Sequence, residues 1–308
     1  MTAKPANPVP QESPRDNSLA AELCSPLPVA RTFFNVGMTV VTFALTALAL
    51  LPLFAILIEI LHQGIPHLKW EVFTSLPAPE GMQGVPNGFA NDIIGTLMMV
   101  GIASLLSIPF GVMTGIFLSE FGQGAAITST VRFLTTILTG VPSIVVGVFA
   151  YGVIVLTTKG FSSLAGGFAL SILMLPIVAL TTEQALKLVP TSQRLASAAL
   201  GASRLQTTFR IVVTAAIPAI TTGILLAVAR AAGETAPLIF TALFSQNWPE
   251  GFFSPTPSLS VLIYNYAQSS FVEQNQMAWT ASLVLVGLVL CISMISRLVT
   301  SKRLKIRG

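Results

Sequence analysis

The sequence predicts an all-α integral membrane protein with six transmembrane helices and both termini in the cytoplasm. Three features lead to this prediction: the low charge content, the length of the apolar runs and the positions of the basic residues. Only 9% of the 308 residues are charged, and the mean hydropathy is +0.79. A soluble domain carries roughly 25% charged residues, because water must wet its surface. The composition therefore excludes a soluble enzyme and indicates that much of the chain faces lipid.

The apolar runs set the helix count. A helix needs about 20 apolar residues to cross the hydrocarbon core of a bilayer. Five runs of this length contain no Lys, Arg, Asp or Glu: 32–58, 93–119, 133–158, 160–182 and 274–296. A sixth run, 211–249, contains only two charged residues, Arg230 and Glu234. Membrane-spanning strands would alternate apolar and polar side chains, whereas segments such as 102–118 are apolar on all faces, so we expect helices.

The basic residues predict the orientation. If the six runs are helices, 13 of the 16 Lys and Arg residues fall on one side of the membrane. Lys69 and Lys159 fall on the other side, and Arg230 lies within a span. Because cytoplasmic loops carry the excess of Lys and Arg, the side with 13 basic residues is predicted to be the cytoplasm, and an even helix count places both termini there.

The same pattern predicts the domain organisation. Residues 1–30 contain six prolines and few large apolar side chains, which is typical of a disordered cytoplasmic tail. A six-helix transmembrane domain follows over 31–300, and 301–308 is predicted to be a basic cytoplasmic tail. The basic residues border membrane spans and do not interleave with aromatic residues, so we expect them to meet anionic lipid headgroups and no nucleic acid.

The sequence offers no chemistry for catalysis. No lysine follows a glycine, so the chain lacks the glycine-rich loop with lysine that binds nucleotide phosphates. Cys24 and Cys291 are far apart, and His62 and His67 have no nearby cysteine or carboxylate cluster, so neither pair has the spacing of a metal site. We therefore expect no catalytic residue, no metal and no cofactor in this chain.

The long cytoplasmic loop after the fourth run contains a predicted short helix. Pro190 followed by Thr191 and Ser192 is typical of a helix start, and Gly201 is typical of a helix end. The residues between them are strong helix formers with small side chains. Two interpretations remain open from composition: a helix that docks into a groove on another protein, or a helix held on the membrane surface by Arg194 and its basic neighbours.

This loop, at 183–214, resembles the EAA loop of the type I ABC importer permeases, whose pattern is E-A-A-x3-G-x9-I-x-L-P. Ala196, Gly201 and Ile211 match the pattern, Ser197 and Val213 are mild changes, Leu195 replaces the glutamate and Thr214 replaces the proline. The resemblance implies that the helix is a coupling helix that docks on an ATP-binding subunit. The residues it assigns to this coupling role are Arg194, Leu195, Ala196, Ser197, Gly201 and Ile211.

Arg230 and Glu234 form the second functional signal. A charge at the centre of a membrane helix costs about 2.5–3.5 kcal/mol on the insertion scale. The two residues are four apart, so in one helix they would share a face that points to protein or water. A structural salt bridge is one interpretation, but arginine before glutamate is the weaker order for such a pair. The guanidinium could instead bind an oxyanion, with Glu234 holding it when no anion is present.

Prolines within the apolar runs predict helix kinks. Pro142, which precedes Ser143, and Pro237 each remove one backbone hydrogen bond, which Ser or Thr side chains and neighbouring helices can replace in a membrane. Such kinks accompany moving helices in some membrane proteins, and in others they only shape the packing. We assign Pro142, Ser143 and Pro237 to kinks with a role in gating and keep the packing interpretation open.

The sequence segments around these residues resemble segments of the PstA-type permeases of phosphate ABC importers. The most specific is Ala229-Arg230-Ala231-Ala232-Gly233-Glu234-Thr235-Ala236-Pro237-Leu238, and Gly140-Val141-Pro142-Ser143-Ile144-Val145 agrees. The resemblance implies a substrate path at Arg230, Glu234 and Thr235. It also implies a heterodimer with a PstC-type permease, two ATP-binding subunits that hold ATP and Mg²⁺, and an extracytoplasmic phosphate-binding protein, in a bacterial inner membrane.

Two alternative functions stay open at this point. The chain could be an ABC permease for another oxyanion, such as sulfate, molybdate or phosphonate. It could also be a secondary transporter or channel that works alone and uses Arg230 and Glu234 for an ion-coupled route. The 183–214 loop distinguishes the latter, because a stand-alone carrier does not need a helix that docks on an ATPase.

Overall fold

The computed structural model describes residues 29–79, 85–122 and 126–305, and within these ranges its regular structure is entirely helical. The helices are numbered in chain order and have the following bounds: α1 Val29–Gly64, α2 Ala90–Phe121, α3 Ala126–Gly140, α4 Ser143–Thr158, α5 Ser163–Lys187, α6 Thr191–Ala199, α7 Arg204–Ala232, α8 Ala236–Thr241, α9 Leu259–Ala267 and α10 Val272–Lys305. Three helices contain π-helical segments: Phe117–Phe121, Tyr151–Val155 and Thr207–Val212.

Five of these helices, α1, α2, α5, α7 and α10, are long and apolar enough to cross a membrane. The predicted third span, 133–158, is not straight. It corresponds to α3 and α4, which meet at a bend of 103° and count as a sixth span only if the pair is taken together. The prediction of an all-helical membrane protein with six spans is confirmed with this qualification of the third.

The chain divides at Ile58 into two compact units, and most of α1 lies in the first. Apolar side chains such as Phe33, Phe43 and Leu48 are exposed on this helix. The hydroxyls of Thr39 and Thr42 donate hydrogen bonds to the carbonyls four residues earlier. These hydroxyls are thereby satisfied within the helix, which suits a segment surrounded by hydrocarbon.

In the second unit, α2 and α5 lie side by side and form the centre of the bundle. Gly111 packs against Val178, and one turn further on Gly115 packs against Thr182. Because both contacts advance in the same direction, the two helices run parallel. The absence of a side chain at each glycine lets the backbones approach closely, as small residues do in membrane helix pairs.

α7 packs antiparallel against α5. Gly223 of α7 contacts Thr181, which is near the end of α5. Further along α7, Ala227 and Ala231 are buried in one cluster with Leu170 and Met174 of α5. We call the end of the bundle at which α5 leads into α6 the α6 end, and α7 starts at that end.

The opposite end of the bundle is closed by α9 and the start of α10. The hydroxyl of Thr96 on α2 accepts a hydrogen bond from the backbone N–H of Leu259, at 2.9 Å, and so joins α2 to α9. One turn earlier on α2, the carboxyl of Asp92 is fully buried and accepts no hydrogen bond within the described residues.

The chain ends differ from the predicted boundaries in one respect. α10 continues to Lys305 and so enters the segment 301–308 that the sequence assigned to a basic tail. The predicted tail over 1–30 lies almost wholly outside the described residues, since α1 begins at Val29.

The glycine contacts lead to a test of the α2–α5 interface. A Cβ at Gly115 would lie 2.6 Å from Thr182 Cβ and 2.7 Å from the Ala179 carbonyl oxygen. Gly115→Ala should therefore force the helices apart and lower the stability by about 1–3 kcal/mol, the usual cost of overpacking. We expect a lower melting temperature of the purified transporter in detergent.

Gly101→Ala is the matched control, because a Cβ at Gly101 meets no atom within 4 Å. In soluble helices alanine is more favourable than glycine by about 1 kcal/mol. This variant should therefore melt at or above the wild-type temperature. Equal melting temperatures for the two variants would contradict the proposed packing.

Candidate substrate path and coupling surface

The predicted fifth span is broken where the two charged residues lie. α7 ends at Ala232, and Gly233 follows at the end of the helix. α8 begins at Ala236 with Pro237 in its first turn. The prediction that Arg230 and Glu234 share one helix is wrong, because Glu234 lies in the linker after α7. The physical reason is that glycine ends helices and proline begins them, so Pro237 starts a new helix and does not kink an existing one.

Arg230 and Glu234 nevertheless meet across the end of α7. Arg230 Nε donates to Glu234 Oε1 at 3.4 Å, which is a long hydrogen bond. The Arg230 side chain is 54% exposed, whereas that of Glu234 is 16% exposed. The carbonyls at the end of α7 stabilise the guanidinium charge through the helix dipole. A weakly held, exposed guanidinium is available to a second anion.

The linker is held in place by α9. Ser260 Oγ donates to the Glu234 carbonyl oxygen at 2.8 Å, and Thr235 Oγ1 donates to the Ser260 carbonyl oxygen at 3.5 Å. The sequence did not indicate Ser260, because nothing in the local pattern distinguishes it from the other serines between α8 and α10. The predicted path residues Arg230, Glu234 and Thr235 are thus brought together, with Ser260 as a fourth member.

The break lies deep in the bundle. The buried alanines on either side of Arg230, Ala227 and Ala231, belong to one core cluster with Leu170 and Met174, which lie in the first half of α5. α7 therefore ends inside the bundle, beside the first half of its antiparallel neighbour. Within Val213–Ala232, Arg230 is the only charged residue, and it lies on the exposed face of α7 with Thr222 and Leu226.

The second break, between α3 and α4, is in contact with the first. Pro142 precedes the first residue of α4, Ser143. One turn into α4, Gly147 packs so closely on α8 that a Cβ there would lie 2.7 Å from Pro237 Cα. The structure therefore places the three residues assigned to kinks, Pro142, Ser143 and Pro237, at the starts of two short helices that pack together.

The predicted short helix of the long loop is present as α6. Pro190 precedes it with extended backbone angles, φ −58° and ψ 141°. Gly201 follows it with φ +78°, a left-handed conformation that glycine adopts without strain. The start and end signals read from the sequence are therefore at the observed bounds.

Arg194 anchors α6 to the bundle. Its Nη2 donates to Glu120 Oε1 at 2.8 Å and to the Leu186 carbonyl oxygen at 2.9 Å, and its Nη1 donates to the Val189 carbonyl oxygen. This one side chain thus joins α6 to the ends of both α2 and α5. The structural role of Glu120 depends on a partner 74 residues away, which no local pattern of the sequence indicates.

Arg204 completes this anchor. It donates to the Glu120 carbonyl oxygen, and its guanidinium lies 5.3 Å from the centre of the Phe121 ring, within the range of a cation–π contact. A groove of about 370 Å³ opens beside these residues, lined by Glu120, Arg194, Leu195, Ala198, Ala202, Arg204, Thr207 and Thr208.

The outer surface of this region carries three exposed leucines among exposed polar side chains. Leu195 is 69% exposed, Leu200 is 89% exposed and Leu205 is 60% exposed. Ser197, in contrast, is buried, with its hydroxyl 2.9 Å from that of Thr207. Among the other predicted coupling residues, Ala196 and Ile211 are exposed.

The described residues contain no group of three or more His, Cys, Asp and Glu side chains that could hold a metal ion. His67 Nδ1 lies 3.2 Å from the Gln63 carbonyl oxygen, a local contact within one turn. What the arrangement offers chemically is an exposed guanidinium at a helix break and, separately, a group of exposed leucines on and beside α6.

Comparisons with known proteins agree on the family. A family model described as the binding-protein-dependent transport system inner membrane component matches residues 107–305. The chain is 42% identical to the phosphate transport system permease protein PstA of Haemophilus influenzae over 79% of this chain and 85% of the relative. It is 39% identical to the PstA of Yersinia pestis, over 80% of this chain and 83% of the relative.

Solved structures agree on the fold. A chain of the MetNI methionine ABC transporter in an inward-facing conformation matches with a TM-score of 0.57 at 20% identity, covering 68% of this chain and 94% of that one. A chain of a bacterial alginate ABC transporter matches with a TM-score of 0.60 at 13% identity, covering 87% and 95%. The predicted type I ABC importer permease fold is confirmed. The chain belongs to the inner membrane components of binding-protein-dependent transport systems and, within them, to the PstA-type permeases.

Proposed function

We propose that this chain is the permease subunit of an ATP-driven importer of inorganic phosphate and forms half of the translocation path. The observation that carries the proposal is Arg230, an exposed guanidinium at a helix break inside the bundle. A planar guanidinium matches the geometry of a tetrahedral oxyanion. Broken helices with charged groups at mid-depth are a recurrent design for substrate sites in transporters. The PstA relatives, named as phosphate transport permeases, support phosphate over sulfate, molybdate or phosphonate.

The proposal includes a specific set of partners. As an ABC importer permease, the chain works with a second permease, ATPase components and a substrate-binding component. We assign these as a PstC-type permease, two ATP-binding subunits that hold ATP and Mg²⁺, and an extracytoplasmic phosphate-binding protein. The exposed face of α7 that carries Arg230 would meet the path between the two permeases.

The charge distribution supports an orientation with both termini in the cytoplasm of a bacterial cell. Basic residues are concentrated at the α6 end: Arg132, Lys187, Arg194, Arg204 and Arg210. This is the pattern of the cytoplasmic side of a membrane protein. In this orientation α6 projects toward the ATPases.

The exposed leucines of the loop argue against a stand-alone transporter. Leu195 and Leu200 are more than two-thirds exposed, in a part of the chain that would face water in this orientation. Burying a leucine against a partner stabilises the complex by about 1.5–3 kcal/mol. A carrier that works alone gains nothing from this surface, whereas an ATPase-coupled permease needs it.

Removal of the Arg230 charge tests the substrate assignment. A hydrogen bond to a charged group contributes about 1.5–3 kcal/mol, so Arg230→Gln should lower phosphate uptake by the reconstituted complex at least about tenfold. Assembly should persist, because the Arg230 side chain is largely exposed and its contact to Glu234 is long.

Lys159→Gln is the charge-matched control, since it removes an exposed basic residue between α4 and α5. This variant should transport phosphate at the wild-type rate. Normal uptake by Arg230→Gln would exclude Arg230 as the anion contact.

Truncation of the two leucines tests the coupling surface. The double variant Leu195→Ala and Leu200→Ala preserves helix propensity and removes only exposed apolar surface. We expect the affinity for the ATP-binding subunit to fall at least about tenfold, measured by titrating that subunit onto the immobilised permease pair. Gln193→Ala, at an exposed polar position of α6, should bind the ATP-binding subunit normally.

Full transport by this chain alone in vesicles would instead establish the stand-alone alternative.

A further inference from the structure

A buried carboxylate lies at the α6 end with two cations on one of its oxygens. Glu183 Oε1 is 2.6 Å from Arg132 Nη2 and 2.6 Å from Lys187 Nζ, and Arg132 Nε donates to the same oxygen at 3.2 Å. The Glu183 side chain is 4% exposed, whereas Arg132 and Lys187 are about half exposed. We call these three residues the Glu183 triad.

The two cations of the triad are alike in charge but not in position. A buried carboxylate requires a partner charge, and either Arg132 or Lys187 alone supplies one. Lys187 lies on α5 with Glu183, four residues away, so its ion pair stays within one helix. Arg132 lies on α3, so its ion pair joins two helices. Charge compensation alone would therefore require only one cation and would not require α3.

α3 has few polar attachments to its neighbours. Within the described residues, Thr128 near its start donates to the Gly122 carbonyl oxygen, and Arg132 donates to Glu183. Beyond Arg132 the large side chains of α3, such as Phe133 and Ile137, are exposed. Thr135, one turn beyond Arg132, is buried. The Arg132–Glu183 ion pair thus attaches α3 just before the half of the helix that leads to the break at Pro142.

This second half of α3 leads directly to the substrate path. After the 103° bend at Pro142, α4 packs on Pro237 through Gly147. Pro237 lies in the first turn of α8, two residues after Thr235 of the linker that holds Glu234. A displacement of α3 would therefore be transmitted through α4 to the linker beside Arg230.

The other side of the triad leads directly to the coupling helix. α6 begins at Thr191, four residues after Lys187. Arg194 of α6 donates to the Leu186 carbonyl oxygen, which belongs to the same last turn of α5 as the triad. A displacement of α6 would therefore move the helix end that carries Glu183.

We infer that the Arg132–Glu183 ion pair is the positioning contact that carries the movement of α6 to the substrate path through α3 and α4. The inference rests on the proposed function, because it requires an ATP-driven movement of α6. Neither residue touches the substrate. Their role is to make ATP hydrolysis and substrate movement occur together.

The test compares two variants that are matched in charge. Arg132→Gln removes the contact between helices and leaves Lys187 to compensate Glu183, whereas Lys187→Gln removes the contact within α5 and leaves Arg132. Each variant is reconstituted in liposomes with the partner permease, the ATP-binding subunits and the binding protein. Phosphate uptake and ATP hydrolysis are measured on the same vesicles.

We expect Arg132→Gln to hydrolyse ATP but to move at least about tenfold less phosphate per ATP, a typical size for an allosteric coupling. Lys187→Gln should stay within about twofold of wild type, because its ion pair lies within α5 and Arg132 still compensates Glu183. Arg132→Lys, which keeps a cation near Glu183, should retain most of the coupling.

Three outcomes would overturn the inference: normal coupling in Arg132→Gln, equal losses in both glutamine variants, or failure of Arg132→Gln alone to assemble, which would make the ion pair a folding contact. A wild-type complex that hydrolyses ATP but moves no phosphate would instead contradict the proposed function. The two failures are therefore distinguishable.

Discussion

A backbone in hydrocarbon must satisfy its own hydrogen bonds, since lipid offers none. The helices of this chain meet that requirement, and the two places where they break are places where other groups of the protein satisfy the backbone. At the α7–α8 break, Ser260 donates to the Glu234 carbonyl, and the Glu234 N–H donates to the Ala231 carbonyl. At the α3–α4 break, the Val145 N–H donates to the Pro142 carbonyl. The irregular backbone at both breaks is therefore satisfied by the protein itself, and the proposed substrate path lies at one of them.

The same constraint explains where the few charged residues of the chain lie. Each costs free energy in a membrane unless it is paired or reaches water, so their positions carry information. Glu120 is paired with Arg194 where α6 is anchored, and Glu183 is paired with Arg132 where α3 is attached to α5. Arg230 is only loosely paired and is largely exposed. The tightly paired charges hold helices together, and the loosely held one is free to act on an anion.

The sequence was sufficient for features that depend on local pattern. The apolar runs located the spans, and Pro190 with Gly201 located α6. The sequence was insufficient where the composition is uniform. The run 211–249 has the pattern of one helix, whereas the structure has two helices there, α7 and α8. The available signal was Gly233 followed by Pro237, a helix end and a helix start that were interpreted as a continuous helix with a kink. The contact of Ser260 with Glu234 and the Arg132–Glu183 ion pair join residues that are far apart in the sequence. No local pattern therefore predicts them.

The most direct test of the central claim measures the rate of ATP hydrolysis by the complete reconstituted complex. The rate is compared between binding protein loaded with phosphate and binding protein incubated with sulfate. The claim is that this chain couples ATP hydrolysis to the movement of phosphate. Phosphate-loaded binding protein should stimulate hydrolysis several-fold over the basal rate, and the protein incubated with sulfate should not. Equal rates with and without phosphate, or stimulation by sulfate instead, would contradict the account.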